Sequence, residues 1–260
     1  MTDAVVQIAQ SAVAVLQQKL NAHVQNIANG STEGYKATNV TSSDSGYYTQ
    51  RAAGSPVDQN NNSPTGIQYG TGTKIIATER NFSPGLAKHT GEELHVAING
   101  QGFFQVEKAG RLAYTRAGRL QKKDGLLTNA AGLPLDPPIN IPESYEELMI
   151  SGDGTVTAKI LGEDDAVELG QLVLFNFSNP NGLEAIGDNL YLATSASGEA
   201  VEIDAGEGMS DQIKHKFLEE SNVDSFTELM RIMPLTDLMK AISNAVKMCE
   251  EAHKYIIEHS

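Results

Sequence analysis

Six histidines (His23, His89, His95, His215, His253, His259) and one cysteine, Cys249, are the side chains best suited to metal ligation or nucleophilic chemistry. A structural zinc site wants Cys-x-x-Cys or His-x-x-x-His spacing. Neither occurs, and one thiol cannot build a thiolate set. Cys249 falls on an apolar helical seam, where a thiol packs as a small hydrophobe. Gly100-Gln-Gly102 lacks the third glycine and the following helix of a dinucleotide loop, so it reads as a turn before a strand. Ser151-Gly-Asp153-Gly154 opens like a calcium loop, but the later ligands are missing and a two-residue hairpin turn fits it better. There is no Gly-x-Ser-x-Gly elbow. Acids such as Glu163-Asp164-Asp165 sit beside turn signals, where they are solvated. No catalytic, cofactor or metal constellation emerges, so the chemistry to expect is that of packing surfaces.

Those surfaces belong to a chain of 260 residues, enough for one or two domains. The net charge of −14 and the lack of a basic block argue against a nucleic-acid binder. No run of ~18 apolar residues exists, so no membrane insertion is expected. The first ten residues show neither a basic n-region nor an apolar h-region, so no cleaved signal peptide is expected. Charge is uneven. Residues 140–209 hold one basic residue, Lys159, against fourteen acidic ones. That excess reads as a self-repelling, solvated face.

Residues 3–29 read as a helix. Val6, Ala9, Val13, Leu16, Leu20, Val24 and Ile27 recur at spacings of three and four, and Gly30 and Gly34 end the pattern. Its polar side is rich in glutamine and nearly uncharged, which suggests a helix surrounded by other protein. Residues 30–66 read as a long irregular connection, almost free of apolar residues between Gly54 and Gly66. From 67 to 205, short apolar runs recur between Asn99-Gly100, Asp124-Gly125, Asp153-Gly154 and Asn181-Gly182, the pattern of a barrel or sandwich of short antiparallel strands. Residues 223–258 return to helix, opened by the capping-box spacing Ser225-x-x-Glu228. Two seams are expected there. One is Val223, Phe226, Met230 and Met233. The other is Leu235, Leu238, Ile242, Ala245, Cys249, Ala252 and Ile256, out of phase across Pro234. Patterning leaves two arrangements open: the terminal helices pair with each other, or both fold back on the β region.

Several stretches resemble the rod and hook proteins of the bacterial flagellar axial structure. Asn26-Ile-Ala28-Asn29, followed by Ser31-Thr-Glu-Gly34-Tyr35-Lys36, is similar to the family's N-terminal signature. Gly100-Gln-Gly102-Phe103, within Val96–Val106, resembles the strand that opens its body domain. Tyr114-Thr-Arg116-Ala-Gly118 continues it, and Leu218-Glu-Glu-Ser221-Asn222-Val223 resembles the entry to its C-terminal helix. The segments 48–72, 133–142 and 182–191 are most similar to the distal rod branch. The C-terminal helix departs from the family pattern at Pro234, Thr236-Asp237 and Met239 and in its last residues.

The resemblance implies an α+β fold: a mainly-β body of short antiparallel strands, with N- and C-terminal helices that pair as a coiled-coil-like unit. It implies a helix of the tube-forming core at 1–30, an extended segment with a rod-stiffening loop at 31–72, a β body at 73–209 and the second core helix at 210–260. It implies no enzyme, but a structural subunit of the distal rod that polymerises helically into a hollow, rigid, torque-transmitting shaft in the periplasm. The alternatives are a proximal rod or hook paralogue, or a β-domain binding module. Expected assembly residues are Val6, Val13, Leu16, Leu20, Val24 and Ile27 on the first helix, and Val223, Phe226, Met230, Leu238, Ile242, Cys249 and Ile256 on the last. Implied partners are further copies of the chain, the proximal rod and hook proteins, the surrounding ring (bushing) and the type III export apparatus. No cofactor is implied.

Overall fold

A computed structural model describes residues 2–58, 61–162, 165–203, 205 and 212–259. The chain forms two compact units. One gathers residues 1–27, 38–79 and 225–260; the other gathers 28–37 and 80–224. Each unit is thus built from stretches distant in sequence.

The first unit contains both long helices, α1 (Thr2–Ala28) and α2 (Ser225–Glu258). No glycine or proline interrupts α1, and Gly30 lies in the turn that follows it. The helices run antiparallel: His23 and Asn26 reach Glu228, while Val6, Ala9 and Val13 share a groove with Ile242, Val246 and Glu250. This is the helix pairing of the two that patterning left open. The two expected seams on α2 are replaced by one. Glu228, Ile232, Leu235, Met239, Ile242 and Val246, all buried or half-buried, follow one another at alternating spacings of four and three, with Thr227 and Thr236 half-buried beside them. Pro234 lies inside the helix without breaking it and is itself exposed. A proline on the outer side leaves the inward spacing intact, so no phase slip occurs. The helix begins at Ser225. Within 210–224, Gln212–His215 and Phe217–Glu219 are strands of the other unit.

Residues 38–79 are more ordered than the irregular connection expected. Thr38–Asp44 pairs with Thr73–Arg80, Tyr47–Arg51 runs antiparallel to Ile67–Gly70, and Pro56–Asp58 pairs with Asn61–Asn62. Tyr48 faces Tyr69 across the second pair, and Gln68 Nε2 donates to Thr49 Oγ1 at 3.0 Å. Cross-strand pairs, rather than a buried face, hold this ribbon, which is why hydrophobic alternation did not reveal it. Ser11 of α1 receives the Thr73 N–H at 3.2 Å. Gly72, at φ +114°, lies so close to the Ser11 side chain that a Cβ there would collide with it.

The second unit is the strand-rich body. Its six-stranded antiparallel sheet runs in the order Glu184–Gly187, Leu190–Leu192, Arg111–Thr115, Phe103–Lys108, Leu174–Asn176, Val201–Ile203. The strands Tyr145–Ile150, Thr155–Ile160 and Ala166–Gln171 form an antiparallel meander. Asp124-Gly125, at φ +52° and +78°, turns Leu120–Lys123 into Leu126–Asn129, as its dipeptide predicts. Asn99-Gly100 ends a strand whose partner is Gln212–His215, distant in sequence. Phe103–Val106 are all buried, because both faces of the central strand are covered. Phe104 and Val106 enter the main core with Leu127, Leu148, Leu174 and Leu190. Phe103 enters an aromatic cluster with Tyr114, Phe177 and Tyr191, with edge-to-face contacts such as Tyr114–Phe177 at 4.8 Å.

Candidate assembly surfaces

On α1, Leu16 is buried, and Val6, Val13, Leu20 and Ile27 are half-buried. Val24 is exposed. Val15 and Ala22 are buried on a neighbouring line, so the helix is covered on two sides rather than along one stripe. On α2, the expected assembly residues separate into different environments. Ile242 lies on the inward seam. Val223 precedes the helix and belongs to the body unit. Phe226 (71% exposed), Met230 (53%), Leu238 and Ile256 face outward, and Cys249 is exposed rather than packed. Phe226, Leu229, Met230 and Met233 form an outward apolar stripe at helical spacing. α2 is therefore apolar on two sides: one meets α1 and the other is open in the single chain.

The ribbon adds a second open surface. Every residue of Tyr47–Arg51 and Ile67–Gly70 is exposed. Together with Val5 and Ile8 of α1, Tyr48 and Tyr69 line an apolar cavity of 740 Å³. A two-stranded ribbon without a covered face is marginal alone, which makes this one a candidate assembly surface.

The motif residues have a different task. Asn26 is fully buried. Its Oδ1 accepts the Thr38 N–H at 2.8 Å, and its Nδ2 donates to Thr38 O at 2.9 Å and Glu228 Oε2 at 3.0 Å. His23 Nδ1 lies 2.6 Å from the same Glu228 oxygen, and Arg231 donates to the other. Glu228, expected as a capping residue, is thus a buried polar centre of the helix pair.

In the body unit, Gly34 takes φ +66°, and a Cβ there would come within 2.8 Å of Ala117 N, so only glycine allows this approach. Tyr35 beside it is buried, and Asn29 accepts from Thr32 Oγ1. Arg116, fully buried, donates to Gly100 O at 2.8 Å and Gly102 O at 2.9 Å, holding the turn before Phe103. Arg116 Nε also donates to Glu219 Oε2 at 2.9 Å, and Lys36 Nζ donates to Glu219 Oε1 at 2.6 Å and Ser83 O at 2.8 Å. Burial and the Arg116 charge pull the Lys36 ammonium down to about 8, against the opposing pull of Glu219. Arg119 pairs in two places with Glu33 and holds that carboxyl below its ordinary range. Ser221 Oγ accepts the Val223 N–H, and Asn222 binds Ala37, Asn81 and Ser83. Ala28 is exposed at the end of α1. Sequence reasoning missed the roles of Lys36, Arg116 and Glu219, although all three lie inside the motif stretches. A lone charge in sequence looks solvated.

These arrangements match a known family. Residues 97–158 match the flagellar hook protein FlgE/F/G D1 domain. The flagellar basal-body rod protein FlgG of Buchnera aphidicola subsp. Schizaphis graminum is 37% identical over 87% of this chain and 88% of its own length. That of Borreliella burgdorferi is 34% identical over 92% of both chains. Within Caulobacter vibrioides, FlgG is 37% identical and the basal-body rod protein FlgF 29%, which favours the distal branch over its paralogue. The chain belongs to the flagellar basal-body rod protein FlgG family, the structural proteins of the distal rod.

Proposed function

We propose that this structural rod protein polymerises head-to-tail into a hollow, rigid, torque-transmitting shaft in the periplasm. A patch that meets a different patch on the next copy gives an open contact, and such contacts grow filaments. The observation that carries the reading is the double-sided α2. Its inner seam faces α1, and its outer side exposes an apolar stripe that includes Leu229, Met230 and Met233. Covering each such side chain yields about 1.5–3 kcal/mol before ordering costs. The helices are held in a single copy by a narrow seam, so their ordering is completed on assembly. The α1 positions Val6, Val13, Leu20, Val24 and Ile27 contribute to the same tube.

The ribbon around 48–66, of which residues 59–60 lie outside the described part, reaches a neighbouring copy and stiffens the shaft. The acidic stretch 140–209 limits sticking to the surrounding ring. Of its cluster at 163–165, only the exposed Asp165 is described. Proximal rod and hook proteins adjoin the ends of the shaft, and subunits arrive through the export apparatus without a cleaved signal peptide.

The full chain, concentrated alone, is expected to form straight tubes by electron microscopy, with both termini gaining protease resistance. Deleting residues 50–63 is expected to give curved tubes. A chain that stays monomeric at high concentration, with termini equally protected throughout, overturns the reading.

A further inference from the structure

The chain passes between its two units at four points, 27/28, 37/38, 79/80 and 224/225. On each side, one asparagine side chain binds the segments that flank these crossings. In the helical unit this is Asn26, which takes both polar backbone groups of Thr38 and one oxygen of Glu228. It thereby joins the end of α1, the start of the strand at 38 and the start of α2. In the body unit it is Asn222. Its Oδ1 accepts the Ala37 N–H at 2.8 Å, and its Nδ2 donates to Asn81 O at 2.7 Å and Ser83 O at 3.0 Å. The Asn81 N–H also reaches Ala37 O at 2.8 Å. A carboxamide suits this task because it offers an acceptor and two donors on one short, planar group. Serine has too few donors, and aspartate has none.

We infer that Asn26 and Asn222 are paired positioning residues. Each holds the connecting segments at fixed spacing within its own unit, so a twisting load is shared among the connections instead of passing through one that swivels. The inference rests on the shaft reading above, but it is tested on the lone chain, so the two can fail separately.

The test uses the full chain with Cys249→Ser and spin labels at Gln18→Cys and Glu168→Cys, two exposed positions, one in each unit. Asn222→Ala is expected to speed amide exchange at Ala37 and Asn81 about tenfold, leave Val106 protected, and widen the label-to-label distance distribution. Asn26→Ala is expected to do the same through Thr38. Asn222→Asp keeps the acceptor for Ala37 and loses both donations, so it should protect Ala37 and still free the 81–83 segment. If Asn222→Ala unfolds the body, Asn222→Asp decides by the same readouts. A distance distribution of unchanged width in a folded variant overturns the inference, as does unchanged exchange at Ala37 and Asn81.

Discussion

The two units solve the burial problem in opposite ways. The body encloses Phe104, Val106, Leu127, Leu148, Leu174 and Leu190 almost completely and backs them with an aromatic cluster. The helical unit buries few apolar side chains, Val15, Leu16 and Ala22 among them, and leaves Phe226, Met230, Met233, Tyr48 and Tyr69 open. The same contrast holds for charge. The body satisfies Arg116, Lys36 and Glu219 against one another and against backbone carbonyls, whereas the polar centre at Glu228 serves mainly to align two helices. One region encloses its apolar side chains within the single chain; the other leaves many of them at its surface.

That contrast can be broken by substitution. The largest effect is expected from Arg116→Met, which leaves the Gly100 and Gly102 carbonyls and one Glu219 oxygen without their buried partner. It should destabilise the body by about 3–5 kcal/mol in urea unfolding. A loss below 1 kcal/mol would show that the cluster is not what completes the body. Next, Phe226→Ser with Met230→Ser should leave monomer unfolding within about 0.5 kcal/mol, as for exposed sites, yet raise the critical concentration for polymer about 100-fold. Equal effects on both measurements would erase the distinction between the units.

The smallest effect concerns pH. Below about pH 8, Lys36 is charged in both the folded and the unfolded chain and adds no slope. Between about 8 and its ordinary 10.5 it is neutral when folded and still charged when unfolded. The unfolded chain then binds more protons, so stability rises with pH across this window. Wild type should therefore gain on Lys36→Met between pH 8 and 10.5. Parallel curves would refute the assignment.

The legibility of the sequence followed the same division. α1 and the hairpin at Asp124-Gly125 were readable because local spacing and turn chemistry decide them. The seam of α2 was misread because Pro234 was expected to shift the phase, yet an outward proline leaves Ile232, Leu235 and Met239 in line. The ribbon at 47–70 was missed because neither face is covered. The grouping of 38–79 with the termini was hidden because it depends on pairings such as Thr38–Asp44 with Thr73–Arg80 and on contacts between the chain's two ends.

That interleaving has a temporal consequence. α2 supplies the last described residues of the chain, and α1 has no helical partner within its unit until α2 arrives. The stretch 80–224 can therefore collapse on contacts of its own, while the helix pair closes only once α1 and α2, nearly 200 residues apart, have met.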